Sequence, residues 1–220
     1  MDFDSAYREE GEYHGPPPWN IGEPQPELAA VIAAGKVRGD VLDAGCGHAE
    51  LSLSLAAAGY TVVGIDLTPT AVAAATKAAQ DRDLPNATFV QDDITTFTGF
   101  DGRFNTIMDS AVFHALPIEG RDGYQQSVFL AAAPGAAYYV LVVAKGAFPA
   151  GVEPKPNQVD EAELRAAVGK YWEIDEVRPA FVYANTAAFP EAHLKRFTPD
   201  RDDKGRIKFP AFLLTAHKPG

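Results

Sequence analysis

Short apolar runs separated by helix-patterned stretches recur along most of the chain, and this alternation predicts an α/β fold. Strand-like runs lie at 40–44, 61–65, 87–91, 104–109 and 136–144, with helical candidates at 49–58, 70–82 and 120–133 between them. Such alternation argues for a largely parallel sheet covered on both faces. The helix at 70–82 follows Thr68-Pro69, a capping residue with proline in the first turn, and Asp83-Leu84-Pro85-Asn86 stops it. Beyond 144 the pattern changes. A Pro- and Gly-rich loop, Gly146 to Asn157, leads to a helix at 160–169, where Asp160 with Glu163 three residues on forms a capping box. Strands near 172–183 and 208–217 frame an irregular stretch from Ala184 to Lys208.

The first 39 residues stand outside this alternation. They hold Phe3, Tyr7, Tyr13 and Trp19, prolines at 16–18, and a helix from about Glu27 to Ala34. Disordered tails are poor in aromatics, so this segment is expected to form a flap over the strand ends. One domain over 1–220 is the natural count: flap 1–39, core 40–145 and acceptor-side elements 146–220.

Composition narrows the function. The net charge is −11, and no long cluster of Lys and Arg exists to track phosphates, which disfavours nucleic acid as a partner. The single cysteine, Cys46, cannot form an internal disulfide. With no run of eighteen apolar residues and an acidic start, the chain is expected to be cytoplasmic and free of membrane.

The chemistry concentrates in Val41-Leu42-Asp43-Ala44-Gly45-Cys46-Gly47-His48-Ala49-Glu50. An apolar strand ends at an acid, breaks into two glycines one residue apart, and opens a helix, so that backbone can approach a nucleotide. A second strand, Thr61 to Ile65, ends in Asp66, placed to chelate the two hydroxyls of a ribose, with Leu67 beside it for the adenine ring. A dinucleotide fingerprint would carry a third glycine where Glu50 stands, and a carboxylate repels pyrophosphate. Asp43 suits a positive group instead. S-adenosylmethionine carries an ammonium and a sulfonium and has no phosphate. After the third strand, Asp92-Asp93-Ile94 offers an acid and an amide to an adenine; register favours Asp93 with Ile94, and Asp92 is the alternative. The fourth strand ends at Asp109, within reach of cofactor and acceptor, and Ser110-Ala111-Val112 lacks the prolines and aromatic of base-methylating enzymes. His114 is either a general base titrating near neutrality or a hydrogen-bonded histidine that holds the loop. The five histidines are scattered, and Asp92-Asp93 and Asp202-Asp203 read as solvated turns, so no metal site is expected.

These segments resemble class I S-adenosylmethionine-dependent methyltransferases, whose first motif is D-x-G-x-G-x-G; here its last glycine is Ala49, a change that costs close approach at one point. Pro17-Pro18-Trp19-Asn20-Ile21-Gly22-Glu23-Pro24-Gln25-Pro26-Glu27-Leu28 is similar to a segment of the thiopurine, thiol and halide methyltransferase group. Phe3 to Arg8, Asp101 to Phe104, Phe113-His114 and Lys170 to Glu176 resemble actinobacterial methyltransferases of aromatic heterocycles. The resemblance implies a Rossmann-like, mainly parallel seven-stranded sheet with helices on both faces and the last strand antiparallel. It implies S-adenosylmethionine as donor and S-adenosylhomocysteine as product, held by Trp19, Asp43, Gly45, Cys46, Gly47, Asp66, Leu67, Asp93, Ile94 and Asp109. It implies a small aromatic acceptor among Tyr7, Tyr13, Phe113 and Phe148, of the 2-alkyl-1-hydroxyquinolin-4-one class, in a detoxifying monomer or weak dimer. A thiol, halide or quinol acceptor is the same-fold alternative. A nicotinamide oxidoreductase and a non-catalytic cofactor sensor are the readings from other classes.

Overall fold

A computed structural model describes residues 3–10, 15–148, 156–186 and 200–220. Its elements are α1 (Phe3–Tyr7), α2 (Pro26–Ala33), β1 (Val41–Ala44), α3 (Glu50–Ala57), β2 (Val62–Asp66), α4 (Pro69–Asp81), β3 (Ala87–Gln91), β4 (Phe104–Ser110), α5 (Arg121–Ala131), β5 (Ala132–Val143), α6 (Glu161–Val168), β6 (Glu173–Ala184) and β7 (Ile207–His217). The seven strands form one sheet in the order β3-β2-β1-β4-β5-β7-β6. β1 to β5 are parallel, and β7 runs antiparallel between β5 and β6. All four residues of β1 and all five of β2 are buried, as strands covered on both faces require. One apolar layer gathers Ile107, Phe113, Tyr124, Val128, Tyr138 and Trp172; the other gathers Leu28, Val41, Leu55, Met108, Leu141 and Leu213.

Local signals set most element ends. Asp83 takes φ +53, and the Asp83 and Leu84 amides donate back to the Gln80 and Ala79 carbonyls, closing α4. Asp160 and Glu163 form the predicted reciprocal cap on α6, at 2.9 and 3.0 Å. Thr68 behaves differently from the expected cap of α4. Its hydroxyl donates to Asp66 Oδ1 at 2.8 Å and makes no cap bond.

The boundary between α5 and β5 also departs from the pattern. The strand begins at Ala132, directly after the helix, not at 136. Pro134 and Gly135, a turn signal in the sequence, sit inside an irregular stretch where Phe104 pairs with Ala132 but Thr106 already pairs with Ala137. The Gly135 amide donates to the Lys218 carbonyl at 3.0 Å, so the deviation from the ladder is paid for by the chain end.

Strand β6 is one of the two edges, and the segment around Trp19 covers part of it. The Gln25 side-chain amide engages both backbone groups of Tyr183, at 2.9 and 2.8 Å. Glu27 accepts from the Phe181 amide at 3.3 Å, and the Asn185 amide donates to the Pro18 carbonyl at 2.8 Å. These side chains substitute for a neighbouring strand.

Candidate active site

The chain runs outward from β1 in both directions across the sheet, and ligands bind such sheets at the carboxyl ends of the strands beside that switch. Asp43, Asp66 and Asp109 stand there, at the ends of β1, β2 and β4.

Asp43 is 1% exposed. Its Oδ2 accepts from the Ser52 hydroxyl at 2.6 Å, while Oδ1 is buried with no hydrogen-bond partner. Burial pushes this carboxyl up to about 6; the Ser52 bond opposes the shift and the nearby Asp66 charge adds to it. An orphaned buried acceptor is costly and invites a donor. An ammonium group satisfies both its hydrogen bonding and its charge, so the residues present fit the methionine end of S-adenosylmethionine.

The loop after β1 takes left-handed backbone at Gly45 (φ +66), Gly47 (φ +53) and Ala49 (φ +65). A Cβ on Gly45 would run into Val112, and one on Gly47 would lie 2.7 Å from the Tyr7 hydroxyl. Cys46 points away from the loop mouth into a space that Gly64 leaves open; a Cβ there would be 2.9 Å from Cys46 Sγ. Burial pushes the Cys46 thiol well up, so it is a packed side chain and not a nucleophile.

Asp66 is engaged by the chain. Its Oδ2 accepts from the Gly47 amide at 2.9 Å, and Oδ1 from the Thr68 amide and hydroxyl at 2.9 and 2.8 Å. The carboxylate thus fixes the glycine loop, with acceptor capacity left on Oδ2. Leu67, next in the chain, is 63% exposed, an apolar side chain held out at the strand end.

Over this cradle lies the N-terminal segment. The Tyr7 ring meets Trp19 edge-on at 6.3 Å and His48 edge-on at 4.9 Å. Burial, reinforced by Asp66, Cys46 and Asp43, raises the Tyr7 hydroxyl above its ordinary value. Asn20 Nδ2 lies 2.8 Å from His48 Nδ1.

Other predicted residues point elsewhere. Asp109 is fully buried; its oxygens accept from the Val112 amide (2.7 Å), the Phe113 amide (3.1 Å) and the Tyr124 hydroxyl (2.8 Å). Burial raises it to about 7 against these bonds. It braces the turn through Ala111 (φ +76) that packs Val112 on Gly45. Phe113 is 1% exposed in the core under the Arg121 guanidinium, so it is not an open acceptor face. His114 Nδ1 accepts from the Val143 amide at 3.1 Å, which puts the proton of the neutral ring on Nε2. Burial, with Arg121 nearby, lowers its pKa to about 3. The general-base alternative therefore gives way to the loop-holding one. Asp93 is exposed, and its Oδ1 accepts from the Thr95 amide and hydroxyl, while the Ile94 side chain packs in the core. Phe148 stacks on Phe209 at 4.4 Å, toward β6 and β7. Tyr13 lies outside the described residues.

Sequence reasoning missed Ser52, Val112, Tyr124 and the Asn20–His48 pair. Ser52 carried a signal: a hydroxyl on an otherwise apolar stripe of α3. Among the described residues, no group of three or more His, Cys, Asp or Glu is placed to hold a metal, and no helix is long and apolar enough to cross a membrane.

A mainly parallel sheet whose glycine loop and strand-end acids cradle a nucleoside with a cationic end has the features of a methyltransferase fold. The methyltransferase-domain family model matches residues 41–135. A 2-heptyl-1-hydroxyquinolin-4(1H)-one methyltransferase of Mycobacteroides abscessus is 49% identical over 219 residues, covering 98% of this chain and 96% of the relative. A solved structure described for conversion of a disulfide bond into a thioacetal group during echinomycin biosynthesis superposes with TM-score 0.83 at 29% identity, covering 99% of this chain and 91% of that one. An S-adenosylmethionine-dependent methyltransferase of Methanosarcina mazei shares the fold, with TM-score 0.66 at 21% identity over 86% of this chain and 97% of its own. The chain belongs to the S-adenosylmethionine-dependent methyltransferases. It is a methyl-transferring enzyme, and S-adenosylmethionine is its donor.

Proposed function

We propose that this enzyme methylates an oxygen, or a ring nitrogen, of a small aromatic heterocycle, with 2-alkyl-1-hydroxyquinolin-4-ones as the acceptor class. The observation that carries this reading is the likeness, at 49% identity over nearly the whole of both chains, to a relative named for that acceptor. S-adenosylmethionine supplies the activated methyl group. Asp43 Oδ1 takes the ammonium, and the desolvation of that carboxylate favours a cationic partner over a neutral one. Asp66 holds the Gly47 amide in place and offers its remaining lone pair to a ribose hydroxyl. Leu67 supplies an apolar face for adenine, and an acid of the Asp92-Asp93 pair with the Ile94 amide reads its edge. Tyr7 and Trp19 roof the methionine end, excluding water and facing positive charge with aromatic rings. Phe148 lies on the acceptor side.

His114 positions chain segments: its ring accepts from Val143, and its carbonyl accepts from the Asn157 amide at 2.9 Å. A strong base is not needed, because an N-hydroxyl of this type ionises with little help. Rate then comes from alignment of the two reactants. The acceptor class supports a detoxifying role, and the acidic, single-cysteine chain supports a cytoplasmic setting.

The test is methyl transfer by the purified protein to 2-heptyl-1-hydroxyquinolin-4-one, 2-heptylquinolin-4-one, a simple thiol and iodide, with product masses read. A single methyl added to the N-hydroxy compound at the highest kcat/KM is the expected result. Preference for the thiol or for iodide replaces the acceptor class. Transfer to none of the four rejects this reading.

A further inference from the structure

The Trp19 segment touches both halves of the molecule through one residue. The Asn20 carbonyl accepts from Asn185 Nδ2 at 2.6 Å, at the end of edge strand β6, and the Pro18 carbonyl accepts from the Asn185 amide. The Asn20 side chain reaches the opposite way, to His48 in the glycine loop. Its orientation is set by its own turn. Asn20 Oδ1 accepts from the Gly22 amide at 3.3 Å, so Nδ2 faces His48 as a donor and His48 Nδ1 must be an acceptor.

We infer that Asn20 and His48 are positioning residues that latch the Trp19 segment onto the glycine loop, so that the roof over the methionine end stays closed. This rests on the reading that the loop holds S-adenosylmethionine. The latch works with the neutral imidazole only. A proton on Nδ1 sets a donor against the Asn20 amide, and the contact turns repulsive. The charges facing His48 are Glu9 just after α1, Glu50 at the start of α3 and Asp66 at the end of β2; Arg82 pairs with Glu50 at 2.8 Å. All three acids favour the imidazolium, yet burial outweighs them and the His48 pKa lies below its ordinary value. Once the roof opens, the ring returns toward 6.5, so closure is lost as pH falls below about 6.5.

The variants Asn20→Ala and Asn20→Asp test this by two readouts. The first is the NMR titration midpoint of His48 in the full-length protein, which needs no ligand. The second is S-adenosylhomocysteine affinity from pH 5 to 8. Wild type is expected to lose affinity on the acid side. Asn20→Ala raises the His48 midpoint toward 6.5 and weakens binding about tenfold at pH 7.5, the value of one hydrogen bond. Asn20→Asp keeps the acceptor for Gly22 but exchanges the donor for a charge; it raises the midpoint further and reverses the pH trend, binding better in acid. A simple loss of packing leaves that sign unchanged. A His48 midpoint that is the same in wild type and both variants overturns the latch. Failure of wild type to bind S-adenosylhomocysteine at any pH overturns the cofactor reading instead, and the midpoints still judge the Asn20–His48 contact.

Discussion

Three aspartates end three adjacent strands, and each does something different. Asp109 is closed off by amides and Tyr124, Asp66 holds the glycine loop and Thr68 with one lone pair left on Oδ2, and Asp43 keeps a whole oxygen without a donor. The open oxygen sets up a measurable linkage. Because burial holds Asp43 at about 6, it is about half protonated at pH 6, and a cation entering there drives the proton off. Calorimetric titration of S-adenosylhomocysteine at pH 6 in buffers of different ionisation enthalpy is expected to show release of about half a proton, falling toward zero at pH 8. Asp43→Asn removes the share of the release that Asp43 contributes and leaves any that His48 contributes. That an acid ends each strand is legible in the sequence, since an apolar run closes on it each time. Which acid stays open is not, because their donors come from Ser52, nine residues on, and Tyr124, fifteen residues on.

At the scale of elements, the glycine loop and α3 show how a motif departure is absorbed. Ala49 replaces the last glycine of the motif but keeps its left-handed backbone, so the cost lies in φ and not in contact with a ligand. Left-handed alanine costs about 1–2 kcal/mol. Against this, the buried methyl packs with Leu53, Ala75 and Ala79 for about 0.8 kcal/mol, and glycine adds about 0.5–1 kcal/mol of chain entropy. These nearly cancel, so Ala49→Gly is expected to change the urea unfolding free energy by less than about 1 kcal/mol. Element ends set by local chemistry, such as the Asp160–Glu163 cap and the Asp83 stop, are readable from neighbouring residues. The α5–β5 junction is not. Pro134-Gly135 has turn chemistry, and only pairing with β4 and the Lys218 carbonyl makes it part of a strand.

Across the whole molecule, buried titratable groups pull stability in opposite directions with pH. Asp43 and Asp109, raised by burial, bind protons in the folded chain before the unfolded one, so they add stability as pH falls below about 7. His114 does the reverse. Its folded pKa of about 3 lies below the ordinary value near 6.5, so its contribution is intact above 6.5 and is lost as pH falls toward 3. His114→Gln keeps an acceptor for the Val143 amide and removes the titration. The variant is expected to gain about 2–3 kcal/mol relative to wild type between pH 7 and pH 4.5, read from urea unfolding at the two values. The sequence by itself determined the alternation of elements, the glycine loop between Asp43 and Asp66, and an aromatic-rich segment outside the alternation. Those are properties of short windows, governed by periodicity and backbone conformation. The tertiary structure alone decided that His114, Phe113 and Asp109 turn inward while Tyr7 and Asn20 reach the glycine loop. Burial and hydrogen-bond partnership are set by residues far apart in the chain, and no local pattern carries that information.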